Sequence, residues 1–204
     1  NEVVCVGRTK PPLECEFIQI DFTNLPAALY IPEPEAVIHC AGGGLGMRGP
    51  LLTARGFYEL FQTNLGGQAE INRFVLPAMM FEKKGFICHV CSIASGEALG
   101  SVGYNTVKSA LAAYVRSLGR EMAPYGVVVS GISPGAFLAP SNGMERLKTT
   151  SPEAYEDFIK NRLPRGKMGE AEELLPIINL LTSKEGSMMG GSVVPIDAGE
   201  GRYY

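Results

Sequence analysis

Six short apolar runs, separated by stretches of helical spacing, constrain this chain more than any other feature of its 204 residues. The runs are EVVCV (2–6), EFIQI (16–20), AVIHC (36–40), GFICHV (85–90), VVVSGI (127–132) and SVVPI (192–196). They are almost continuously apolar, the pattern of strands covered on both faces. Apolar residues three and four apart predict helices over 53–81, 102–123, 152–161 and 170–183. Alternation of this kind belongs to the α/β class: right-handed βαβ units and a Rossmann-like, doubly wound parallel sheet. Two connections break the rule, GRTKPPLEC and DFTNLPAALYIPEPE, since neither can hold a full crossover helix. Residues 138–168 are rich in Pro, Met and charge and read as a mobile flap.

Composition removes several function classes. A net charge of -3 without a long basic run gives no reason for nucleic acid or an anionic membrane as partner. The longest apolar stretches, such as LLPIINLL, are too short to span a bilayer. There is no signal-peptide pattern, and the five Cys are an odd number, so reduced thiols in a cytoplasmic protein are expected.

The stretch Gly44-Leu-Gly46-Met-Arg-Gly49 is a literal G-x-G-x-x-G after a strand pattern. A dinucleotide fingerprint also needs a helix opening at the third Gly and an acid at the next strand tip. Pro50 follows Gly49, and the helical pattern starts near Thr53. The acid at the right distance, Glu70, lies inside the helical GGQAEINRFVL. The motif is therefore not the phosphate cradle. It remains a Gly-rich loop at the carboxyl end of a strand, where open α/β sheets bind ligands.

YNTVK, Tyr104 to Lys108, places a phenol and an ammonium one helical turn apart. Alone, such a pair describes a polar helix face. Its surroundings are more specific: Ser92 ends the strand run before it, Asn64 lies on the long preceding helix, Pro134-Gly135 follows the next strand, and CAGGG follows the third.

This constellation resembles the short-chain dehydrogenase/reductase family in its compact form, along essentially the whole chain, including the tail from GKMGEAEELL to VVPIDAG. The resemblance implies one NAD(P)-binding domain over 1–204 and an oxidoreductase interconverting a carbonyl and a secondary alcohol. It implies that Tyr104 is the general acid/base, Lys108 holds the nicotinamide ribose and lowers the phenol pKa, Ser92 orients the substrate oxygen, and Asn64 holds a water in the proton relay. Cys40, Ala41 and Gly42 would form the turn beside the adenosine ribose. Asp21 and Phe22 would meet the adenine edge, and Pro134, Gly135 and Phe137 would frame the nicotinamide. Elementary electrostatics allows the phenol role. Bringing a phenol from pKa near 10 to 7 takes roughly 4 kcal/mol, and one positive charge about 4 Å away at an effective dielectric of 20 supplies roughly that much.

Arg8 decides which cofactor is expected. Gly7 occupies the strand tip where an acid would favour NAD, and Arg8 follows with Lys10 close by. A charge-assisted hydrogen bond of about 1.5–3 kcal/mol corresponds to roughly a 10- to 100-fold preference for NADP. The family's own fingerprint, Thr-Gly-x-x-x-Gly-x-Gly, is absent. Its place is upstream of EVVCV, so the expectation is that the natural protein has an N-terminal strand, turn and helix which this sequence lacks. Without that strand the sheet should show open edges on both sides of a gap. His39-Cys40 stands where the family has paired Asn, and Ala139 where Thr is common.

Cys88-His-Val-Cys91 matches C-x-x-C, but on a strand residues three apart face opposite ways, so neither a redox pair nor a metal site is expected. The bland reading, small side chains in a buried sheet, is the better one for His39, Cys40, Cys88, His89 and Cys91. The stripe FYELFQTNL…FVLPAMMF and the helix from Tyr104 read as core plus a homodimer or homotetramer contact. Phe137, Leu138, Met144 and Leu147 suggest an apolar wall for a small-molecule substrate, which fits a sugar, a steroid, an acyl thioester or a small ketone equally. The rival reading is a non-catalytic scaffold that keeps the fold. A sugar epimerase/dehydratase reading needs a larger C-terminal domain than this sequence has.

Overall fold

The computed structural model, which describes residues 2–26 and 29–202, divides the expected sheet in two. The strands β1 (Val4–Gly7) and β2 (Glu16–Gln19) pair in parallel with each other, Val4 opposite Glu16. The centre of the fold is a separate parallel sheet in the order β3-β4-β5-β8. It is built from β3 (Ala36–His39), β4 (Gly85–Val90), β5 (Val127–Pro134) and, after the flap, β8 (Val193–Ile196). Among the described residues no strand bridges β1 and β3, so both present an open edge. All six predicted strands form, but as two sheets. The short early connections place no helix over β1 and β2, which stay half-buried at best, whereas every residue of β5 is buried.

Helix α1 (Ala54–Phe61) starts where the sequence predicts, with Thr53 Oγ1 accepting from Gly56 N at 3.1 Å. It runs through a wide π turn, Gln62–Gly66, into α2 (Gly67–Glu82). Helix α3 (Val102–Met122) is capped by Ser101. These helices cover one face of the central sheet. Val75, Leu76 and Met79 of α2 meet Ile87, Val127 and Val129, while Leu111, Ala112 and Val115 of α3 meet Cys91 and Leu65.

The flap is more organised than its composition suggests. It leaves β5 through β6 (Phe137–Leu138), holds α4 (Gly143–Thr150) and α5 (Pro152–Arg162), and returns through β7 (Gly169–Glu170), which pairs with β6. Leu138, Met144, Leu147, Phe158 and Ile159 pack around Tyr155, Leu163 and Met168, a small core of its own. Only α5 was expected. A 3₁₀ turn, Ala171–Leu174, then leads into α6 (Leu175–Leu181), so the helix expected over 170–183 is shorter and begins as a tighter turn. Leu174, Ile178 and Leu181 cover the second sheet face against Cys88 and Ile132.

Candidate active site

Four of the predicted side chains meet above the carboxyl ends of β3, β4 and β5. Tyr104 and Lys108 sit on the first turns of α3, held by Ser101 Oγ, which accepts from Tyr104 N at 3.4 Å. Lys108 is buried, with its ammonium 5.8 Å from the centre of the Tyr104 ring, and donates to Val90 O at 2.9 Å. Burial lowers its pKa to about 8, against the opposing influence of Cys91 and Cys40. Ser92 follows β4 and accepts from Ala94 N at 3.2 Å. Its side chain lies near enough to the Tyr104 phenol to lower that group's pKa.

Burial pushes the Tyr104 pKa up, Cys91 adds to this, and the Ser92 side chain offsets part of it. In the protein by itself Tyr104 is thus an acid that holds its proton.

Asn64 lies within the π turn and is fully buried. Its amide donates to Gly43 O and Leu60 O, both at 2.9 Å, and its carbonyl accepts from Gly43 N at 2.9 Å. Helix and glycine loop are thereby locked together, and a methyl group on Gly42 would sit 2.8 Å from Asn64 Oδ1 and 3.3 Å from Lys108 Nζ. The predicted loop Cys40-Ala41-Gly42 is therefore beside the ammonium. Cys40 is exposed as a residue, yet burial around its thiol raises that pKa, with Lys108 acting against it. Gly44, from the glycine motif, lies over the Tyr104 ring, 3.9 Å from where its Cβ would be. The motif is an active-site loop and not the start of a helix.

Beneath the loop runs a network that sequence reasoning missed. Gln68 donates to Ala41 O at 2.7 Å and accepts from His89 Nδ1 at 2.6 Å. Asn72 accepts from His39 Nε2 at 2.7 Å and donates to His89 Nε2 at 3.4 Å and to Tyr114 OH at 3.1 Å. The two imidazoles are register partners on β3 and β4 and stack with centroids 4.5 Å apart. Burial keeps both neutral, lowering His39 to about 4 and His89 well below its ordinary value. These residues are thus a polar chain and not inert filling. The only available signal was the pair of His at matching ends of two adjacent strand runs. Cys88 and Cys91 behave as expected, packing on opposite faces of the sheet.

The remaining predicted residues divide by position. Pro134 ends β5, and Gly135 N donates to Ile196 O at 3.0 Å; Ser133 Oγ ties this turn to Ser92 O at 3.2 Å. Phe137 packs against the sheet–α6 core, while Leu138, Met144 and Leu147 pack in the flap's interior. A cavity of about 440 Å³ lies behind this turn, lined by Gly135, Phe137, Pro164, Leu174 and Asp197, but not by Ser92, Tyr104 or Lys108. Arg8 and Asp21 are exposed at the ends of β1 and β2, with Arg8 helping to hold Asp21 below its ordinary pKa behind two bonds from Thr23. Phe22 presses on α2, leaving no room for a side chain at Gly67.

The arrangement fits a nicotinamide cofactor. An ammonium has three N–H donors, and Val90 O is the hydrogen-bond partner of Lys108 among the described residues. The surplus donors suit ribose hydroxyls beside the glycine loop. Among those residues no group of His, Cys, Asp and Glu could hold a metal ion, and no helix is long and apolar enough to cross a membrane.

Residues 30–200 match the family model described as enoyl-(acyl carrier protein) reductase. The chain is 30% identical over 159 residues to 2-dehydro-3-deoxy-D-gluconate 5-dehydrogenase of Formosa agariphila, covering 76% of this chain and 59% of that protein. It is 30% identical to levodione reductase of Leifsonia aquatica over 156 residues, 74% of this chain and 58% of that one. The chain thus spans less than two thirds of the length of these relatives. In fold it resembles a 3-oxoacyl (acyl-carrier-protein) reductase from Agrobacterium tumefaciens with NADP bound, at a TM-score of 0.84 and 20% identity over 97% of this chain and 84% of that one. It also resembles a short-chain dehydrogenase from Leptospira borgpetersenii with bound NAD+, at 0.81 and 22% over 98% and 82%.

Proposed function

The chain belongs to the short-chain dehydrogenase/reductase family, and on that premise we propose that the whole protein is an NADP(H)-dependent oxidoreductase interconverting a carbonyl and a secondary alcohol. The observation that carries this reading is the convergence of Asn64, Ser92, Tyr104 and a buried Lys108 around one glycine loop. The cofactor, when bound, supplies the hydride. Every other part of the chemistry falls to the chain. Ser92 orients the substrate oxygen. Tyr104, which holds its proton, donates it to that oxygen during reduction and takes it back during oxidation. Lys108 holds the ribose and Asn64 fixes the loop and the relay water. Arg8, exposed at the end of β1, favours the 2′-phosphate of NADP over NAD. The reading also makes it a cytoplasmic homodimer or homotetramer, packed through α1–α2 and α3, where Tyr58, Phe81 and Val102 are exposed.

The test is Tyr104→Phe, assayed with NADPH and a panel of ketones and 3-oxoacyl thioesters. Turnover should fall at least about 100-fold, with NADPH affinity unchanged in a fluorescence titration. Retained turnover ends the proton-transfer role. NADPH binding with no turnover in the unaltered protein favours the non-catalytic scaffold.

A further inference from the structure

Glu200 is the one buried carboxylate among the described residues, its side chain 4% exposed, and no step of the proposed chemistry uses it. Its inward aim is built in. Asp197 folds the tail after β8 into a tight turn, its side chain accepting from Gly199 N and Gly201 N at 2.9 and 3.0 Å, and its carbonyl from Glu200 N at 3.0 Å. Ala198 and Gly199 take left-handed backbone angles, φ 51° and 83°, to make that turn.

The carboxylate joins two places far apart in sequence. Oε2 accepts from Ala136 N at 2.6 Å, inside the turn proposed to frame the nicotinamide. Oε1 accepts from Arg162 Nη2 at 3.1 Å, on the last turn of α5, where the flap returns to the sheet. Arg162 is held in place by lying over the Phe158 ring, 5.3 Å from its centre. Contact with the turn is direct, since a Cβ on Gly135 would lie 2.8 Å from Oε2. A buried carboxylate must be fully hydrogen-bonded to be tolerated, so the turn and the flap end are held to it as a pair.

We propose that Glu200 is a positioning residue that couples the flap to the nicotinamide turn, so that the resting place of the flap, and with it substrate capture, is set from the cofactor side. The coupling to catalysis rests on the oxidoreductase reading; the mechanical link does not. The test is hydrogen exchange of the whole chain, comparing the unaltered protein with Glu200→Gln, Arg162→Met and Arg162→Lys. Glu200→Gln and Arg162→Met should speed exchange across 136–170 by about 10-fold or more, leave β4 and β5 unchanged, and Arg162→Lys should restore protection. Unchanged exchange in the flap, or acceleration spread evenly over the chain, overturns the proposal. In the active enzyme Glu200→Gln should raise substrate KM about 10-fold with kcat within about twofold. A loss of kcat at constant KM overturns it. If the unaltered protein turns over nothing, the oxidoreductase reading fails, and the exchange data still decide the link. Arg162→Met, on a partly exposed side chain, answers the question if Glu200→Gln does not fold.

Discussion

Every residue of β5 from Val127 to Pro134 is buried, while none of the four residues of β1 is. The central sheet is clamped between α2 and α3 on one face and α6 on the other, and below its site the chain from Ala41 through Gln68, His89, Asn72 and His39 leaves few polar atoms unpaired. Among the described residues the β1–β2 pair is held by its own ladder and by the press of Phe22 on α2. The difference coincides with a division of labour. Side chains proposed to move protons stand on the clamped part, where geometry within a fraction of an ångström matters. Arg8, proposed to choose between cofactors, stands on the loosely held part, where a point charge at a strand tip suffices.

The contrast can be broken from the tight side first. His89→Leu removes the partner of Gln68 Oε1 and one of the partners of Asn72 in a buried site. A loss of about 3 kcal/mol in urea unfolding is expected; a loss under about 0.5 kcal/mol would mean that the network does not hold the sheet. Acid should have a comparable effect. An unfolded His takes its proton near 6.5, but folded His39 only at about 4. Between those values the unfolded chain binds more protons, so stability falls as pH falls from 6.5 towards 4. The 2.5-unit gap is worth roughly 3 kcal/mol. Urea midpoints at pH 7 and pH 4.5, with His39→Asn as the flattened control, check the sign.

Smaller effects should come from the loose side. Phe22→Ala is expected to cost about 1–2 kcal/mol, less than a full core aromatic because Phe22 is half-buried. Amide exchange should rise in β1 and β2 and stay slow in β4 and β5; a uniform rise would show that the two sheets unfold as one. Smallest of all in stability, Arg8→Gln should leave the urea midpoint in place and cut the NADPH-over-NADH preference by about 10- to 100-fold, read from the two dissociation constants.

The strands and long helices were legible because buried parallel strands read as apolar runs and helices carry a period. Tyr104, Lys108, Ser92 and Asn64 were legible as a family pattern, and the structure brings them together around Gly42 and Gly43. What escaped depends on register and distance. Nothing local says that His39 will face His89, or that Glu200 will reach Arg162 across 38 positions. Helix α4 escaped although its signal was present: Asn142 caps it by accepting from Met144 N and Glu145 N, and Glu145 at the third helical position completes the pattern. Pro140 and the surrounding charges masked it. The split of the sheet was legible too: the family's first strand, which belongs between β1 and β3, has no counterpart in this sequence, and the two sheets stand apart where it would lie.

The flap has its own packed interior, is closed at its base by one pair of two-residue strands, and is tied to the tail through Arg162 and Glu200. A piece built this way behaves like a cartridge. Its inner surface can be redrawn by substitution, lengthened or exchanged while the proton-handling residues on α3 and after β4 keep their places. Selection acting on such a chain can explore new substrates without first relearning the reaction.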